Sequence, residues 1–349
     1  MLRLPVKPPI PPMLARAATD LPLDGYLYEP KWDGFRALAY RDGEWSELQS
    51  RNLNRFGRYF PELVEAMTRA HSQRFVLDGE IVIVGPNGSD FGALLKRVHP
   101  AQSRVDRLRM ETPASFVAFD LLAEGDDDLT RVPFAERRKR LERLFEGFEP
   151  PLLLTPITGD VEVARRWLER FTGRGVDGVI AKARDLRYEP DRRVMVKVKR
   201  ERTAECLVGG FRLNGDKVTS LLLGVYDAAG VLRHVGVSSS FTTAVRRDMF
   251  EQLRRFAVPL AGHPWEHGFA IERRPMGRLR GAAGVWTPEL PLDWIPVRPA
   301  LVCEVAYNQL DEDRFRHPAR FVRWRPDRDP ASCRFDQFAA EFPSELLAS

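Results

Sequence analysis

Lys31 lies in EPKWDGFR, residues 29–36, one position after Pro30 and two before Asp33-Gly34, with Glu29 and Arg36 on either side. A lysine is protonated at neutral pH and becomes a nucleophile only where burial or neighbouring cations disfavour its ammonium form. If it attacks a phosphate, further cations must neutralise the developing charge, and carboxylates must hold a divalent metal. A nucleotide substrate also needs an aromatic surface for its base. The chain contains each type. Glu80 in VLDGEIVI and Asp177 in GVDGVIAK are carboxylates in matching Asp-Gly or strand contexts, able to enter one cleft. Lys197 and Lys199 stand two apart in VMVKVK, so a strand would aim both at one face. Phe119 in VAFDLL offers a ring for a purine. Each also has an ordinary reading, since aspartates before glycine are common in turns and a phenylalanine in an apolar strand is usually core.

The elements that would position these residues follow from pattern. YEPKWDGFRALAYRDG reads as strand, turn, strand, and FVLDGEIVIV, SFVAFDLLA, GVDGVIAKA and VMVKVKR read as further strands. PELVEAMTRA opens on Pro61 and places Leu63 and Met67 on one helical face. PFAERRKRLERLF is an amphipathic helix with Leu141, Leu144 and Phe145 inward. In DVEVARRWLERFTGRG, Asp160 is a candidate N-cap, followed by a Val163, Trp167, Leu168, Phe171 stripe. From about residue 202 the character changes to short strands, CLVGGFR, VTSLLLGVYD, VLRHVGVSS and ALVCEVAY, with one helix, TTAVRRDMFEQLRRFA, among them. That pattern suggests a small barrel, with an OB-fold as the natural candidate. The expected class is α+β, with domains over 1–201 and 202–349. The irregular stretch 259–293 carries Arg273, Arg274, Arg278 and Arg280 and reads as an insertion or a nucleic-acid surface.

At 349 residues the chain is long enough for two cores. No segment is long and uncharged enough to span a membrane, and prolines break the apolar character of MLRLPVKPPIPPML, unlike a signal peptide. Cys206, Cys303 and Cys333 are far apart in sequence with no CxxC pair, which argues against a four-cysteine zinc site or a disulfide scaffold and fits a reducing, cytoplasmic setting. The formal charge of +5 says little by itself. Its distribution says more: RFRHPARFVRWRPDR, residues 314–328, holds six arginines and one aspartate interleaved with aromatics. This suits phosphate contact, the bland alternative being an edge strand with a basic outer face.

KWDGFR matches the KxDGxR signature of the covalent nucleotidyltransferases, which include ATP-dependent DNA ligases, RNA ligases and mRNA-capping enzymes. Four fixed residues arise by chance in roughly one such chain in several hundred, so the order of the other blocks decides. SRN at 50–52, LDGE, FDLL, VDGVIAK, VKVK and RWRPDR follow in the order of ligase motifs, and the resemblance covers nearly the whole chain. With PVKPPIPPMLARA and DFGALLKRVHP, the layout most resembles compact bacterial ATP-dependent DNA ligases of the LigC type. The resemblance implies a nucleotidyltransferase (adenylation) domain with antiparallel sheets and helices, then an OB-fold domain. It implies that Lys31 forms a phosphoramide with AMP from ATP, that Glu29, Arg36, Arg51 and Glu80 contact adenine and ribose or place the phosphate, and that Phe119 stacks the base. Asp177, with Glu80, would hold Mg2+ or Mn2+. Arg193, Lys197 and Lys199 would contact phosphates, and Arg325, Asp327 and Arg328 would orient the pyrophosphate.

The implied partners are nicked double-stranded DNA and other repair proteins, with no membrane. Three positions depart from the family pattern: Asp177 replaces glutamate, Met195 replaces tryptophan and Arg328 replaces lysine, with charge retained at 177 and 328. The alternatives with shared lysine chemistry are an RNA ligase and a capping-type enzyme. A catalytically silent DNA-binding module is the alternative of a different class.

Overall fold

At Asp33-Gly34 the chain leaves one sheet and enters another. The computed structural model describes residues 2–85, 88–171, 175–215, 217–268, 294–311 and 313–338; Arg273, Arg274, Arg278 and Arg280 lie outside these. Two compact units divide between Arg200 and Glu201.

The first unit begins with β1 (Leu14–Ala18), β2 (Tyr26–Trp32), β3 (Phe35–Asp42) and β4 (Trp45–Ser50). Helix α1 (Pro61–Arg69), β5 (Arg74–Val82), α2 (Phe91–Arg97), α3 (Gln102–Glu111) and β6 (Ser115–Glu124) follow. The unit closes with α4 (Phe134–Phe145), β7 (Leu152–Leu154), α5 (Val161–Arg170), β8 (Val176–Ala183) and β9 (Arg193–Val198). One sheet has the order β1-β9-β8-β2, and the other runs β7-β6-β5-β3-β4. Both are mainly antiparallel; β1 with β9 and β7 with β6 are the parallel pairs.

Period-2 alternation buries both faces of the second sheet. Along β3, Ala37 and Ala39 join a core with Leu63 and Met67 of α1 and Leu141 of α4. Leu38 and Tyr40 face the opposite way, toward Met13, Tyr188 and Met195. Asp160 caps α5 through the Glu162 amide, with Trp167 and Phe171 buried and Val163 and Leu168 half-buried. Met195 packs with Leu38 and Tyr40 across the two sheets, and Lys31, Trp32 and Arg36 of KWDGFR line a cleft in the same unit.

The second unit contains β10 (Arg202–Asn214), β11 (Lys217–Tyr226), β12 (Leu232–Ser240), α6 (Thr243–Arg254), β13 (Val302–Tyr307) and β14 (Ala319–Trp324). The five strands close in the order β10-β11-β12-β14-β13 and back to β10, with β12 and β14 parallel. Together with the helix between the third and fourth strands, this is an OB-fold. Its core includes Cys206 and Cys303, directly opposite each other, and all three cysteines are buried free thiols. The edge-strand reading of the arginine-rich segment is overturned. β14 pairs on both sides, and Arg320, Arg323, Arg325 and Arg328 form ion pairs with Glu201, Glu304 and Glu205 of the same unit.

Candidate active site

One cleft in the first unit is lined by Glu29, Lys31, Arg36, Arg51, Glu80, Phe119, Arg193 and Lys197, eight of the residues expected from sequence. Lys31 sits next to the last residue of β2, and its Nζ lies 2.7 Å from Asp177 Oδ2. Lys199 Nζ reaches the same oxygen at 2.5 Å. The second Asp177 oxygen, Oδ1, is buried without a hydrogen-bond partner. An anionic oxygen in that position fits a divalent cation, whose charge would replace the missing donor. Among the described residues no three His, Cys, Asp or Glu side chains converge as a cage. The rest of a cation's shell would therefore come from substrate phosphate and water.

Two β-bulges aim the central side chains. Between β2 and β8 the register advances from Val176–Trp32 to Val179–Pro30, so Asp177 and Gly178 together oppose Lys31. That extra residue turns Asp177 onto the cleft side despite its odd spacing from Lys182. Gly178 has φ +150°, and an added Cβ would lie 2.2 Å from the Val198 carbonyl oxygen. Between β5 and β6, Asp78 pairs with Asp120 and Gly79 with Ala118, leaving Phe119 as the unpaired residue. The extra residue returns Leu121 to the core face of Phe116 and Ala118, while Phe119 lines the cleft. Gly34 is fixed by close approach as well: a Cβ there would meet the Ile81 carbonyl oxygen at 2.1 Å.

The walls are held by ion pairs. Arg36 grips Asp78 through two bonds of 2.8 and 2.6 Å, and the Tyr188 hydroxyl donates to the same carboxylate at 2.7 Å. The Arg36 guanidinium stands 4.8 Å from the Phe119 ring centre. Glu80 accepts from the Gly34 amide at 3.1 Å; desolvation raises its pKa to about 7, opposed by Lys31 and Arg36. Along β9, Arg193, Met195 and Lys197 face the cleft at alternate positions. Desolvation and the charges of Lys199, Lys31 and Arg193 lower the Lys197 pKa.

Sequence reasoning did not single out Lys182. Its ammonium is fully buried, 2.8 Å from Glu29 Oε2, 3.0 Å from the Phe119 carbonyl oxygen and 4.8 Å from that ring's centre. Arg138, 3.8 Å from Glu29, and Arg137, bidentate to Asp120, complete the network behind it. A lysine at the end of the apolar run VIA was the available signal, because an unpaired buried ammonium is too costly to persist.

The remaining expected residues lie in the second unit. Arg325 binds Asp327 at 2.9 and 3.0 Å and also Glu205, while Arg328 binds the other Glu205 oxygen at 2.5 Å. The pKa of exposed Asp327 falls to about 2, mainly through its hydrogen bond from Arg325.

Residues 12–199 match the ATP dependent DNA ligase domain, and residues 214–328 match the ATP dependent DNA ligase C terminal region. The chain belongs to the ATP-dependent DNA ligases. It is 48% identical to DNA ligase C2 of Mycolicibacterium smegmatis, covering 99% of each chain. DNA ligase C of Mycobacterium tuberculosis is 46% identical over 96% of this chain and 95% of that one. A solved Lig E DNA ligase, 19% identical, superposes with a TM-score of 0.50 over 90% of this chain and 99% of that one, a likeness of fold. The ligase is an enzyme of the compact LigC type that seals nicks in double-stranded DNA, with ATP as AMP donor and a divalent cation. The capping, RNA-ligase and silent-module alternatives are set aside by matches to DNA ligases that run nearly end to end.

Proposed function

We propose that Lys31 is the residue that carries AMP and that the cleft around it is the ATP site. The observation that carries this reading is the Lys31–Asp177 pair, 2.7 Å apart, beside a buried carboxylate oxygen with no donor. The Lys31 amine attacks the α-phosphate, a phosphorus–nitrogen bond forms, and pyrophosphate leaves. Phe119 stacks the adenine, with Glu29, Arg36, Arg51 and Glu80 contacting the base and ribose or placing the phosphate. Arg193, Lys197 and Lys199 contact phosphates, and Arg325, Asp327 and Arg328 orient the pyrophosphate. Asp177 would hold the divalent cation, with Glu80 as a second candidate, and a cation bound there neutralises charge that develops on the phosphate.

AMP then passes to the 5′-phosphate of the nick, and the 3′-hydroxyl attacks the activated phosphate with AMP as leaving group. ATP and DNA call on the arginine-rich second unit at different steps, so a hinge at Lys199–Ala204 fits the chemistry. We read the biological role as repair in the cytoplasm, alongside other repair proteins. Among the described residues no helix is long and apolar enough to cross a membrane. Sealing of a nicked duplex with ATP and Mg2+ tests the site: Asp177→Ala should abolish it, and sealing at the wild-type rate would remove Asp177 from the mechanism.

A further inference from the structure

The two arginines that end RWRPDR are joined by one carboxylate. Glu205, on β10, receives Arg325 Nη1 on Oε1 and Arg328 Nε on Oε2. A carboxylate bridging two guanidinium groups fixes their separation and orientation, which neither arginine could do alone. The backbone of Glu205 is clamped in turn. Its N–H donates to Gln337 Oε1 at 2.8 Å, and Gln337 Nε2 donates to its carbonyl oxygen at 3.1 Å. The pairing of β10 with β11 begins only at Leu207, so Gln337 takes the place of the absent strand at Glu205. A further bond from Gln337 Nε2 to the Arg334 carbonyl oxygen, 2.8 Å, holds the amide in place. Both members of this clamp fall outside the segments matched by the two family models, 12–199 and 214–328.

We propose that Glu205 and Gln337 are positioning residues for the ATP-dependent first step, presetting Arg325 and Arg328 for the triphosphate. This rests on the reading of Arg325 and Arg328 given above. Holding the two cations side by side overcomes their mutual repulsion before substrate arrives, and it sets a spacing that polyphosphate oxygens can accept.

The test measures two rates for each full-length variant: lysyl-AMP formation from ATP, and sealing of a nick already carrying a 5′-adenylate, which needs no ATP. Glu205→Ala should slow the first about 10- to 100-fold and Gln337→Ala about 3- to 10-fold, with the second rate within about twofold of wild type. Glu205→Ala added to the Arg325→Ala, Arg328→Ala double variant should cause no further loss. Gln337→Ala removes only a half-buried amide and carries the test if Glu205→Ala does not fold. The proposal is overturned if Arg325→Ala slows adenylation while neither clamp variant does, or if both rates fall together. Should Arg325→Ala itself leave adenylation intact, the reading of the arginines fails, and the proposal with it.

Discussion

At the scale of single residues, the feature that most needs a reason is charge buried behind the cleft wall that carries Phe119. Lys182, Glu29 and Asp120 are each about 1–2% exposed, and the Lys182 ammonium contacts Glu29 and lies 4.0 Å from Asp120. Desolvation raises the Glu29 pKa even against Lys182 and Arg138, so burial outweighs the two cations beside it. Removing one partner of such a cluster leaves an uncompensated buried charge, at a cost of about 3–5 kcal/mol. Lys182→Met should therefore lower the unfolding free energy of the first unit by about that amount in urea titrations. An unchanged midpoint would show that Glu29 relaxes by protonation instead. That Lys31, Glu80 and Lys197 meet in one cleft, with Asp177 paired to Lys31, could be read from residue type and spacing. Lys182 could not be assigned a partner from sequence, because Glu29 and Phe119 lie 153 and 63 positions away and meet it only through pairing between strands.

At the scale of elements, helices were legible because their period is strong: Leu63 and Met67 are buried as the helical spacing requires. The bulges were not legible. Strict alternation puts Asp177 and Lys182 on opposite faces of one strand, and Ala118 and Leu121 on opposite faces of another. One extra residue in each ladder reverses both outcomes, and no local sequence signal other than Gly178 marks either. Gly178→Ala tests how much the first bulge matters. Its Cβ would lie 2.2 Å from the Val198 carbonyl oxygen at a positive φ, so β9 must shift by about 1 Å to reach an ordinary carbon–oxygen contact. The expected result is a loss of about 2–4 kcal/mol in stability and at least about a tenfold slower lysyl-AMP formation, because Lys199 and Asp177 move apart. Wild-type adenylation in a folded Gly178→Ala protein would show that the bulge does not place Asp177.

At the scale of the whole molecule, a buried histidine ties the stability of the second unit to pH. His234 is buried in the barrel, its ring 5.4 Å from that of Trp265; desolvation, then Arg314 and Arg212, lower its pKa from 6.5 to about 3. Above about pH 6.5 the ring is neutral whether folded or not. Below that value the unfolded chain takes up a proton that the folded barrel refuses, so the second unit loses about 1.4 kcal/mol per pH unit until about pH 3. His234→Gln should flatten this part of the slope when unfolding is followed by tryptophan fluorescence at pH 7 and pH 5. An identical slope in the variant would mean that carboxylates elsewhere set it. The account as a whole rests on Lys31, and intact mass after incubation with ATP and Mg2+ tests it most directly. The wild-type ligase should gain the mass of one AMP, lost when nicked DNA is added and sealed, and Lys31→Ala should gain none. An AMP adduct on Lys31→Ala, or on any other residue of the wild-type protein, would contradict it.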